Sequence, residues 1–354
     1  MFSNFLASLR GRFAHTAPNR LNQRHSPFRN RARLSLERLE DRWTPANFTV
    51  TNLNDTGPGS LSAAIAQGNN SHDASSTIQI KVQGVLALQT QLAALQKNIT
   101  IIGPGHANFE VEGNNTFRIF ATVVNTTSSI QGITIVDGNS QNGGGVYNQA
   151  TSLTLTDVWL TNNKATNDGG GIYNDQGATL VCNACLIGNN NATISGGGID
   201  NNQGAVTLAL GTVVTLNGAY AGGGISSGGT NASLTIQDNS SITYNAATFS
   251  GGGIFNSATL NMTGGSVSNN TAANNGGGIY NASGTASFTN VAMDNNSAVN
   301  KGGAFEISAG TINYTGGEIT GNTASIGTAG YIISGFGTFN SNNVTITGTI
   351  VYGS

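Results

Sequence analysis

The 354 residues can bury a large core, yet only 8% of them are charged, while 50 Gly and 47 Asn make up more than a quarter of the chain, a composition unlike that of an ordinary globular enzyme. Glycine comes in clusters rather than at every third position and there are five Pro, which excludes a collagen. A hydrophobic content of 38% with a net charge of −2 argues against a mostly disordered chain, so something folded and repetitive remains.

In chain order, the first element is a basic head, residues 1–43, which holds nine of the fourteen Lys plus Arg. Such a head fits a targeting segment, a solvated tail, or nucleic-acid or anionic-membrane contact; a targeting segment is the favoured reading, and no nucleic-acid partner is expected. Met1 to Leu9 is too short for the apolar core of a conventional export signal, and no later stretch approaches the roughly 18–20 apolar residues of a membrane span. Next, Ser60 to Gln67 (SLSAAIAQ) predicts a short amphipathic helix with Ser60 as N-cap and Gly68 as its stop, serving as an N-terminal cap on the rest of the chain.

Residues 44–354 are dominated by a repeat. GGGVYN at Gly143, GGGIYN at Gly169, GGGIDN at Gly196, GGGISS at Gly222, GGGIFN at Gly251 and GGGIYN at Gly276 recur every 25–29 residues, and KGGAFE at Lys301 and TAGYII at Thr328 continue the series. An apolar residue stands ten positions before an alanine in six of seven units: Leu155 and Ala165, Cys182 and Ala192, Ile236 and Ala246, Met262 and Ala272, Phe288 and Ala298, Tyr314 and Ala324. Five positions into the interval come Leu160, Ile187, Ser241, Val267, Met293 and Ile319. Eight positions in come Asn163, Asn190, Tyr244, Asn270, Asn296 and Asn322. Alternation such as Leu153-Thr-Leu155-Thr reads as short strands. A unit of about 26 residues is too short for a propeller blade and fits one coil of a β-helix. The fold class is therefore all-β: a single-stranded right-handed parallel β-helix, a pectin-lyase-like solenoid of about 11–12 coils with a short N-terminal capping helix. Ile172, Ile199, Ile225, Ile254 and Ile279 form an inward column, and Asn148, Asn174, Asn201, Asn256 and Asn281 a ladder of stacked amides.

These GGG[IV]YN corners, with apolar-x-x-Asn elements such as Leu160 to Asn163 and Val267 to Asn270, resemble the polymorphic outer membrane protein repeat, which alternates GGA[ILVY] with FxxN on a right-handed parallel β-helix. Here other apolar residues replace the Phe and GGG replaces most GGA. Residues 33–70, from RLSLERLEDRWTPANFTVTN onward, are similar to the opening of planctomycete cell-surface β-helix proteins. The resemblance implies an exported protein of the cell surface, outer membrane or extracellular space. Autotransporter members of the family carry a membrane barrel, which these residues do not supply, so self-translocation is not implied.

Parallel β-helices also resemble pectate lyases and polygalacturonases, so a polysaccharide lyase or glycoside hydrolase is the alternative to a non-enzymatic adhesive or structural rod. The best acidic group is the corner of Asp168, Asp175 and Asp200, which could bind calcium, the one cofactor considered, or act catalytically; solvated corner residues are the plainer reading. Cys182-Asn-Ala-Cys185 lacks the further ligands a zinc site needs, and Cys182 falls in the inward column as a core thiol. The most promising surface is an outward aromatic row, Tyr147, Tyr173, Phe255, Tyr280 and Phe305, suited to stacking on cell-surface glycans or docking a protein. Outward Thr in TLTLT-like strands also raises an ice-binding face, against which its columns read as irregular.

Overall fold

The structure is a computed structural model that describes residues 45–237 and 239–354. The basic head, with its boundary at residue 43, lies outside them. The described chain is a right-handed parallel β-solenoid of about 12 turns with one helix, as the repeat predicts. Each coil of the central repeat places two strand segments on a broad face, passes a short bridge, turns through the glycine cluster and enters a third face of ten strands. One coil shows the plan: Thr179–Asn183 and Leu186–Gly188 on the broad face, Asn191–Ala192 as the bridge, Ile199–Asn202 on the third face.

Period-two alternation sends every second side chain inward, and parallel register stacks equivalent residues. The broad face thus aligns Leu155, Cys182, Leu208, Ile236, Met262, Phe288 and Tyr314, none more than 1% exposed. Tyr314 tolerates this place because its hydroxyl donates to the Val291 carbonyl at 2.7 Å. Both thiols are free and buried, Cys182 in the core column as expected.

Three expectations need correction. The helix runs Leu61–Asn70, and Gly68 lies inside it rather than ending it. The Ser60 Oγ accepts from the Ala63 amide as an N-cap, while Gly68 is buried where a Cβ would stand 3.2 Å from Ile99 Cδ1, so close approach to the first coils explains the glycine. In the unit around residue 240, Ile242, Asn245 and Ala247 occupy the columns assigned to Ser241, Tyr244 and Ala246, one residue later. Phe305 pairs with Ile279 in the inward column and is fully buried, so Glu306, not Phe305, continues the outward row.

Buried amides tie the coils together. Asn163 Nδ2 donates to Asn190 Oδ1 at 3.0 Å, and the chain of bonds continues through Asn217, Asn245, Asn270 and Asn296 to Asn322. A second ladder links Asn148, Asn174 and Asn201, passes to Ser227 Oγ, and resumes at Asn256 to Asn281. Both ladders take the structural role that stacked amides imply. Arg118 closes the first glycine corner: its Nε and Nη2 donate to the carbonyls of Gly143 and Asn142, groups that in later coils receive amides from the coil before.

Candidate functional site

Glycine builds the site. At each corner the first glycine is left-handed, with φ between 61° and 69° from Gly143 to Gly302, and a Cβ on Gly169 would lie 2.4 Å from the Ile172 carbonyl oxygen. With only glycine, or the small residues Ala304, Thr328 and Ala329, in the corner itself, the residues just before and after it face each other across a lateral trough. One wall runs Asp168, Ser195 and Ala221, then Ser250, Asn275 and Lys301. The other runs Tyr147, Tyr173, Asp200, Ser226, Phe255, Tyr280, Glu306 and Tyr331.

Two of the three predicted acids meet here. Ser195 Oγ lies 2.7 Å from Asp168 Oδ1 and 2.7 Å from Asp200 Oδ1, so the two carboxylate oxygens are at most twice that distance apart. They border a groove of about 280 Å³ that Tyr173, Asn202 and Ser226 also line. In both contacts the Ser195 hydroxyl is the donor, its one proton shared between the two carboxyls. Burial pushes Asp200 up to about 6, the Asp168 charge adding to the effect against the Ser195 and Ser226 hydrogen bonds. Asp200 is buried, not the solvated corner residue expected.

Asp175 does not join them. It sits two residues past the row and accepts from the Tyr147 hydroxyl at 2.7 Å, from Gln149 Nε2 at 3.0 Å and from the Gln176 amide. Burial works to raise its pKa, but those three hydrogen bonds outweigh it and hold the carboxyl below its ordinary value. Among the described residues no three His, Cys, Asp or Glu side chains are grouped to hold a metal ion.

The aromatic row differs from an open platform. Tyr147 and Tyr173 stack at 5.3 Å and 6° between ring planes, and Phe255 and Tyr280 at 5.2 Å and 20°. Arg118 covers the remaining face of Tyr147. Rings stacked coil on coil turn their faces along the solenoid and their edges outward. Tyr173 is only 8% exposed, and its hydroxyl accepts from Asn202 Nδ2 at 2.7 Å. Burial pushes both tyrosines up to about 12.

Sequence reasoning missed the far end of the trough. Glu306 is 2% exposed with Oε2 lacking a hydrogen-bond partner, and burial pushes it up to about 7 although Lys301 pulls the other way. The Lys301 ammonium lies over the Tyr331 ring at 4.1 Å and donates to its hydroxyl at 3.1 Å. The signal was the KGGAFE corner read against GGGIYN, with Glu in the place of Tyr. Comparison of the chain with protein-family models, curated proteins and solved structures returned no match to any of them.

Proposed function

We propose that the chain is a non-enzymatic β-helical rod of the cell surface or extracellular space, adhesive or structural, whose trough contacts glycans or proteins. The observation that carries this reading is the Ser195 hydroxyl between Asp168 and Asp200. A glycoside hydrolase needs the scissile bond between its two carboxyls, and here a protein side chain fills that gap. The repeat's resemblance to polymorphic outer membrane and planctomycete surface proteins supports the location, and no helix among the described residues is long and apolar enough to cross a membrane. Stacked tyrosine edges, hydroxyls and amides give the trough a polar, hydrogen-bonding rim suited to hydroxylated ligands. The enzymatic alternative draws on one feature, the raised Asp200 carboxyl, since a proton held to about pH 6 fits a general acid.

The test is a glycan array and pull-down on the full chain, with and without calcium, followed by product analysis of every glycan retained. Retention without cleavage, lost in the Tyr147→Ala, Tyr173→Ala double variant, is the expected result. Cleavage abolished by Asp200→Asn would make the protein a carbohydrate enzyme and end the adhesive reading.

A further inference from the structure

On the solvent side of the broad face lies a hydroxyl array unconnected with the trough. Register places Thr179, Ala205, Ser233, Thr259, Thr285, Thr311 and Thr338 in one column, which Thr127 and Ser152 precede. Two residues further along each strand a second column runs through Thr154, Val181, Thr207, Thr235, Asn261 and Ser287 to Asn313 and Asn340. Each column has one apolar member among these residues, and the two fall in different coils: Val181 stands beside Thr179, and Ala205 beside Thr207. Each of the nine coils from Thr127 to Thr338 therefore presents a hydroxyl. The irregularity apparent in the sequence comes from connections of unequal length, which strand register removes.

We propose that this face binds ice. Members of a column are about 4.8 Å apart and the two columns about 6.6 Å apart, so the array extends for about 40 Å. Those repeats are close in size to the oxygen rows on a prism face of ice. Neither column contains a formal charge, so the two columns complement an uncharged lattice, where an ion would hold its own hydration shell instead. Threonine contributes a hydroxyl and a methyl on a β-branched carbon stiff at χ1, which fixes both groups before contact and lowers the ordering cost. A crystalline polysaccharide is the other extended lattice of hydroxyls, but its sugar rings would stack on aromatic side chains, and neither column has one.

The experiment measures ice-crystal shape, freezing hysteresis and partition into slowly grown ice for the full chain. Faceted crystals and enrichment in the ice are expected. Thr259→Lys with Thr311→Lys should abolish both, while Val299→Lys, an exposed change just past the short bridge strand Ser297–Ala298, leaves them intact; circular dichroism melts check that all variants fold. The proposal is overturned if the wild-type chain is excluded from ice like a charged control protein of the same size, or if the double lysine variant folds and keeps its activity. Retention on microcrystalline cellulose or chitin without ice activity overturns it in favour of a polysaccharide lattice.

Discussion

Asp200 and Glu306 stand four coils apart in one row of the third face, and burial raises both, to about 6 and about 7. A carboxyl with a folded-state pKa above its unfolded value binds its proton more tightly in the folded chain. Stability is then fully present below the unfolded pKa near 4 and is lost as pH rises through 6 and 7. For Asp200 the loss is on the order of 2–3 kcal/mol, taking about 1.4 kcal/mol per unit. Asp175, held low by its donors, acts with opposite sign and only below about pH 4. The melting temperature should therefore rise between pH 7.5 and pH 5; Asp200→Asn should remove part of that slope and Glu306→Gln the rest. A flat profile in the wild-type chain would refute the assignment of both protons. Backbone strain gives a second prediction at this scale. One turn position is left-handed in eight successive coils and is filled by Asp137, Asn162, Asn189, Asn269, Asn295 and Gly321, but also by Leu216 and Tyr244, at φ 56° each. Leucine lacks the local hydrogen bond that makes this conformation cheaper for asparagine. Leu216→Asn is expected to stabilise the protein by about 1 kcal/mol in urea unfolding, through relief of that strain.

The asparagine ladder is the element that holds coil to coil. Asn217 donates to Asn245 Oδ1 and to the Ile187 carbonyl, and its own Oδ1 accepts from the amide and side chain of Asn190. Asn217→Ala would orphan these buried groups at about 1–3 kcal/mol apiece, so a loss of roughly 3 kcal/mol or more is expected in chemical denaturation. Asn202→Ala, on the half-buried rim of the third face, should cost far less. The ladder was legible in the sequence because an inward amide at a turn must find a partner, and only the next coil offers one. Its register slipped at one unit for a physical reason: Asn occupies both the left-handed position and the inward one beside it in pairs such as Asn162 with Asn163 and Asn269 with Asn270. An extra residue before Asn245 then leaves Tyr244 looking like the column member. Phe305 was misplaced because Ala304 takes the third-glycine position, which moves the inward place onto Phe305. Of the site, Asp168 and Asp200 were legible from their place around the corner. The contact of Ser195 with both carboxyls was not, since it depends on side-chain distances between coils that no spacing rule supplies.

At the scale of the molecule, each coil contacts only its neighbours, so the solenoid should behave as a one-dimensional stack in which a coil can be removed whole. Ser250 pairs with Asn275 at the same corner, and Gly251 and Gly276 each open a glycine cluster. Deleting Gly251–Asn275 joins Ser250 to Gly276 in register. It brings Ile225 over Ile279 in the inward column and Asn245 over Asn296 in the ladder, since both pairs lie two steps apart in the intact stack. The shortened chain is expected to keep its β circular dichroism and to lose about 5 Å of length in small-angle scattering, one interstrand spacing. A control deletion of half that length, ending within a strand, shifts apolar columns into turns and should abolish folding. If both deletions unfold the protein, the coils are not independent units, and stability must come from contacts that bypass the nearest neighbour. If both fold, neither the apolar columns nor the asparagine ladder sets the register of the coils.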